Sequence, residues 1–223
     1  TFQSGSVLKN GFFALPIVPT NTYTQYTGAQ IANWNITYVA GLSGVFISNT
    51  TNNMSGILST TWTTAGGGFP YGALQTAVIA STFNSQASLS QTFYCEPGTY
   101  NVYFYASGSN SSGTTTDNGI LVKMDGTTIM DLSTSVLNYS YWGFYTAGFT
   151  ILTTGFHTLS FTGIGEGVGN PTKKCLSTIN NVIVLNTNGL PSFVNPSFET
   201  PAITNDSSYN ITTNPYYGWT ISG

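Results

Sequence analysis

Arginine is absent from this 223-residue chain, whose basic side chains are four lysines and one histidine. Phosphate recognition needs clustered Lys or Arg, and the one adjacent basic pair is Lys173-Lys174, so nucleic-acid binding is excluded. Charged residues make up 5% of the chain and the net charge is -3. So little charge can mean disorder or a membrane span. Neither fits: aromatic residues reach 14%, and no apolar run approaches the length that crosses a bilayer. Two cysteines and one histidine do not make a structural zinc site, and no metal or cofactor is implied. The chain starts at Thr1 without a basic segment and an apolar run behind it, so targeting is not legible.

What is present is hydroxyl and amide. Thr, Ser and Asn together exceed a third of the chain, a surface suited to packing against other surfaces. Helical periodicity is nearly absent, whereas short runs rich in Val, Ile, Thr, Tyr and Phe recur between Gly, Asn, Ser and Pro clusters. This predicts an all-β chain. Strands are expected over residues 11–15, 31–39, 44–48, 74–82, 88–94, 99–107, 119–124, 127–132, 142–152, 156–163 and 180–185. In the sixth, Tyr100, Val102, Phe104 and Ala106 share one face and Tyr103 and Tyr105 the other. Asp125-Gly126 between two such runs predicts a two-residue hairpin, because a type I′ turn needs positive φ at both centres. The expected architecture is a two-sheet antiparallel β-sandwich, a jelly roll.

The end of the chain replays its beginning at an offset of 185. Asn10, Phe13, Pro16, Thr27, Trp34 and Ile36 recur without a gap as Asn195, Phe198, Pro201, Thr212, Trp219 and Ile221. The expectation is therefore a complete jelly-roll domain over residues 1–187, then the first strands of a second, truncated repeat over 188–223. A longer tandem protein is the simplest source.

The order Asn10-Gly11-Phe12-Phe13 with Pro16, Trp34-Asn35-Ile36, Gln75-Thr76-Ala77-Val78, Leu89-Ser90-Gln91-Thr92-Phe93, Pro97-Gly98-Thr99-Tyr100, Val122-Lys123-Met124-Asp125-Gly126, Gly155-Phe156-His157-Thr158-Leu159-Ser160-Phe161 and Asn180-Asn181-Val182 resembles galactose-binding-like jelly rolls. The nearest kind is the tandem form of plant cell-wall proteins without assigned function. In overall style the chain is also similar to minor capsid and surface proteins of large DNA viruses. The resemblance implies binding or structural modules and no catalytic residue, and fold alone does not assign function. Asn180-Asn181 stands where such domains usually carry an acidic residue before the last strand, which argues against a calcium or sugar site there.

Catalytic chemistry has few candidates. His157 shares a strand face with Leu159 and Phe161, which favours a structural imidazole over a general base. Paired carboxylates for glycoside cleavage would have to come from Glu96, Asp117, Asp125, Asp131, Glu166 and Glu199, and Asp125 and Glu96 are tied to turns. Asp117, Asn118 and Asp131 match no calcium-loop spacing. The triple glycine Gly66-Gly67-Gly68 lacks the Lys and Ser/Thr of a phosphate loop. An enzyme is not expected.

Sugar binding would use aromatic faces with neighbouring amides and hydroxyls. Trp62 and Tyr71, in the long loop over residues 49–72, and Tyr141 are the candidates, while Trp34 and Trp142 read as packing. Cys95 and Cys175 are a candidate disulfide closing a long loop, with two separate buried thiols as the alternative. Seven sequons, at Asn35, Asn49, Asn53, Asn110, Asn138, Asn205 and Asn210, are about what an Asn-, Ser- and Thr-rich chain holds by chance. The leading expectation is a non-catalytic structural module of a virion or other extracellular assembly, packed against other protein subunits. The alternative is a carbohydrate-binding adhesion or cell-wall module at the cell surface, with glycans as partners.

Overall fold

A computed structural model describes residues 6–20, 22–28, 30–39, 43–49, 75–82, 84–108, 118–132, 137, 142–165 and 175–187. The chain divides into two compact units, Thr1–Asn188 and Gly189–Gly223, and every described residue lies in the first. The strands are β1 (Tyr23–Tyr26), β2 (Asn35–Thr37), β3 (Gly44–Ser48), β4 (Thr76–Ser81), β5 (Ser88–Cys95), β6 (Gly98–Gly108), β7 (Asn118–Met124), β8 (Thr127–Asp131), β9 (Gly143–Ile151), β10 (Gly155–Gly165) and β11 (Cys175–Asn186). A six-stranded sheet in the order β1-β3-β4-β11-β6-β9 packs on a five-stranded sheet in the order β2-β5-β10-β7-β8. All pairings between strands are antiparallel. The fold is an all-β, two-sheet jelly-roll sandwich.

Period-2 patterning explains the layers. On β5, Leu89, Gln91, Phe93 and Cys95 are buried and the residues between them are not; on β6, Tyr100, Val102, Phe104 and Ala106 point inward as expected. Across the sandwich Phe104 meets Phe161 edge to face at 5.2 Å, and Trp34 lies 6.3 Å from Phe161. Each such side chain contributes about 1.5–3 kcal/mol of burial. At Gly163 an added Cβ would come within 2.8 Å of Ile79, so glycine lets β10 approach β4. Alternation fails on β3 and β4, which are buried on both faces. There Phe46, Val78, Ala80 and Leu176 form a second small cluster, with Tyr23 against it.

The Asp125-Gly126 hairpin forms as predicted, with φ of 48° and 80° and Met124 opposite Thr127. Residues 11–15, expected as a strand, are instead a turn at 11–12 followed by irregular chain. The reason is local: the Asn10 amide donates to the Leu15 carbonyl (2.7 Å) and the Ala32 carbonyl (3.0 Å), and its Oδ1 accepts from the Leu15 N–H. The closed loop drops Phe13 onto Trp34 at 5.3 Å, and the Trp34 indole N–H donates to the Asn10 carbonyl. Asn10, Phe13 and Trp34, three residues of the repeated pattern, are thus one packing unit in this first copy. Strand 31–39 shrinks to Asn35–Thr37, and β1 (Tyr-Thr-Gln-Tyr) lacked an alternating apolar pattern.

The disulfide expectation needs correction, because Cys95 and Cys175 are separate buried thiols. Cys95 stands opposite Gly155, at one end of β10. Cys175 stands opposite Ser81, whose hydroxyl lies against Gly163. Gly155 and Gly163 are roughly 26 Å apart along a strand rising about 3.3 Å per residue. The cysteines sit at opposite ends of the sandwich, far beyond disulfide reach.

Candidate functional site

The exposed side of the five-stranded sheet is where the core pattern leaves side chains over. On β5 the inward set forces Ser88, Ser90, Thr92 and Tyr94 outward, and on β10 the buried Leu159 and Phe161 force Phe156, Thr158 and Ser160 outward. The strand register then sets Tyr94 opposite Phe156, Thr92 opposite Thr158 and Ser90 opposite Ser160. Tyr94 and Phe156 are 52% and 76% exposed, with ring centroids 5.7 Å apart at 79°. The hydroxyls of Thr92 and Thr158 are 2.8 Å apart.

A cleft of about 490 Å³ opens beside this pair. It exists because β2 pairs with β5 over Ser88, Ser90 and Leu89 alone, leaving the rest of that edge to the N-terminal segment. Buried Gln91 docks the segment: its Oε1 accepts from the Lys9 N–H and its Nε2 donates to the Lys9 carbonyl, both at 2.8 Å. Gln75 does the same further along, accepting from the Val18 N–H and donating to the Phe13 and Pro16 carbonyls. The exposed Lys9 and Asn33 side chains, the Thr92 hydroxyl and the Tyr94 and Phe156 rings therefore line one concave surface.

At its rim the Glu96 carboxylate accepts from the Thr154 hydroxyl at 2.7 Å. A hydrogen bond to the same carboxylate, with desolvation and the Glu96 charge behind it, pushes the Tyr94 phenol above its ordinary pKa. The cleft sets a lysine, amides and hydroxyls around an aromatic pair.

His157 lies outside this chemistry. Its Nδ1 is 2.6 Å from Asp125 Oδ2 and its Nε2 is 2.9 Å from the Thr153 carbonyl. Both partners are acceptors, an arrangement that favours the protonated ring. The Asp125 hydrogen bond, then the Thr153 carbonyl, raise its pKa against the opposing effect of burial. For Asp125, burial pushes upward but is outweighed by the His157 hydrogen bond, the Thr158 N–H and the His157 charge, so its carboxyl is held below the ordinary range. Such a pair ties the β7–β8 hairpin to β10.

Of the residues the sequence offers for sugar contact, Trp62, Tyr71 and Tyr141 lie outside the described residues, as do the acidic candidates Asp117, Glu166 and Glu199. Trp34 is core. Asp131 stands exposed on β8, and no group of three or more His, Cys, Asp or Glu side chains with metal-binding spacing occurs among the described residues. Tyr94 and Phe156 were not singled out, although parity pointed to them: with Phe93 and Tyr94 adjacent on one strand, one of the two has to face out.

No family model matches the chain, and no curated protein matches it in sequence. Among solved structures it is similar to TmCBM61 in complex with beta-1,4-galactotriose (TM-score 0.48, 12% identity, 81% of this chain and 98% of that one). It is similar also to a putative sugar binding protein from Bacteroides thetaiotaomicron (TM-score 0.47, 11% identity, 81% and 99%). A third is the enzymatically active domain of tailspike protein 4 of bacteriophage CBA120 (TM-score 0.47, 16% identity, 83% and 22%). Among the described residues no helix is long and apolar enough to cross a membrane.

Proposed function

We propose that this domain is a non-catalytic carbohydrate-binding module that takes its glycan in the cleft between β5, β10 and the N-terminal segment. The observation that carries the reading is the Tyr94–Phe156 pair, exposed at 52% and 76% beside hydrogen-bonding side chains. A pyranose has an apolar C–H face and a rim of hydroxyls; aromatic faces take the first and amides, hydroxyls and a lysine the second. Exposed aromatics on a rigid sheet hold that geometry without ordering a loop on binding. The role belongs where glycans are displayed, on a cell or particle surface or outside the cell.

Titration calorimetry with beta-1,4-galactotriose, followed by a glycan array, tests it. Binding is expected, and Tyr94→Ala together with Phe156→Ala weakens it by about tenfold or more, roughly 1.4 kcal/mol. Silence on every glycan, or a double variant that binds as the parent does, overturns the reading. Trp62, Tyr71 and Tyr141 are further contacts in this proposal, checked by Trp62→Ala on the same array. The repeat at offset 185 extends it: residues 188–223 echo the opening of this module, and a second copy of it would make binding multivalent.

A further inference from the structure

Four strands end the two sheets, and they are not treated alike. β1 is four residues long, β2 three and β8 five. β8 also carries exposed Asp131 and meets β7 across a register shift. Short length, charge and bulges are how natural sheets blunt an edge against pairing with another chain. β9 has none of them. It runs nine residues, Gly143 to Ile151, without proline or a charged side chain, pairs with β6 in unbroken register from Ala106 to Gly98, and has no strand on its other side among the described residues.

Its accessibility is that of backbone as well as side chain. Phe144, Thr146, Gly148 and Thr150 are all exposed, and an exposed glycine is exposed main chain. Phe144, at 57% exposure, is nevertheless held in place: it stacks on Tyr103 at 6.1 Å and 16° and leans on Tyr105 at 5.2 Å. The edge thus combines a pre-positioned ring with an outer ladder that no described strand pairs.

We propose that β9 is an association edge at which a second copy of this chain adds its own β9 antiparallel, joining two six-stranded sheets across a two-fold axis. A two-fold contact must be self-complementary. β9 meets this because antiparallel pairing of a strand with itself is symmetric and because no charge on it opposes its own image. With Thr146 on the axis, Phe144 of each copy covers Gly148 of the other, an aromatic side chain over a glycine, and the two Thr146 side chains face each other. A charged partner would find nothing on β9 to pair with, which favours a second copy over a basic or acidic peptide.

Sedimentation velocity on the full chain over a range of concentrations tests this, with circular dichroism to verify folding. The expected result is a concentration-dependent species of twice the monomer mass that is lost in Thr146→Lys. Thr128→Lys on β8 leaves it intact. Under mild oxidation Thr146→Cys forms an interchain disulfide, whereas Thr150→Cys, which sits far from its own symmetry mate in this register, does not. Hydrogen exchange of the unmodified chain supplies a readout free of substitutions: β9 amides gain protection as concentration rises. A monomer at every concentration, a dimer that survives Thr146→Lys, or pairing with an unrelated peptide in place of self-association overturns the proposal. The glycan cleft lies on the other sheet, so this result and the calorimetry fail independently.

Discussion

Phe161 and Phe156 lie five residues apart on β10 and have opposite fates. Phe161 is fully buried between Phe104 and Trp34; Phe156 is 76% exposed beside Tyr94. The difference is one of parity, since an odd spacing on a strand puts two side chains on opposite faces. The same residue type thus stabilises the sandwich at one position and contributes almost nothing to it at the other. A large ring in water on a rigid sheet is the feature that the proposed glycan site would use.

Substitution separates the two roles. Phe161→Ala should lower unfolding free energy in denaturant titration by about 3–5 kcal/mol, the usual cost of emptying a buried phenylalanine site. If it costs under about 1 kcal/mol on that scale, the core assignment is wrong. Gln91→Ala comes next. It leaves the Lys9 N–H and carbonyl without their partner, at a cost of about 1–3 kcal/mol, and limited proteolysis should then cut near residue 9 faster. Cleavage at the parental rate would mean that the segment is held by something other than the glutamine. Phe156→Ala should stay within about 0.5 kcal/mol of the parent in stability while glycan binding falls. A large loss of stability there would erase the contrast between the faces.

The smallest expected effect is a pH dependence elsewhere on the same strand. The folded pKa of His157 is raised, so its contribution is present below the unfolded value of about 6.5 and is lost as pH rises through the folded value. The folded pKa of Asp125 is lowered, so its contribution is present above the unfolded value and is lost as pH falls through the folded one. The pair therefore stabilises most between roughly pH 4 and 6.5. His157→Phe should flatten thermal stability across that window; an unchanged profile would show that the contact adds nothing. Because Asp125 is exposed, the effect is modest.

Much of the sandwich was readable from alternation. β5, β6 and β10 fall where period-2 patterning puts them, and Asp125-Gly126 marks its hairpin because few other dipeptides accept positive φ twice. The loop from Asn10 to Leu15 was not readable, since a side-chain amide bonding backbone five residues away looks the same in sequence as any asparagine. Gln75 and Gln91 were likewise invisible as clamps: glutamine is ordinarily a surface residue, and only the N-terminal segment laid across it makes burial favourable. The cleft is partly a product of that clamping, so it too needed the fold.

By itself the sequence determined that this chain is all-β, that residues 122–129 turn back on themselves, and which face of β6 is apolar. These follow from local rules of period and turn geometry. The tertiary structure decided which strands became neighbours, and with that it set Tyr94 beside Phe156, left β9 as the long uncharged edge and put Cys95 and Cys175 at opposite ends of the sandwich. Those outcomes depend on pairing between residues far apart in the chain, where the free energy lies in packing and register and no local pattern records it.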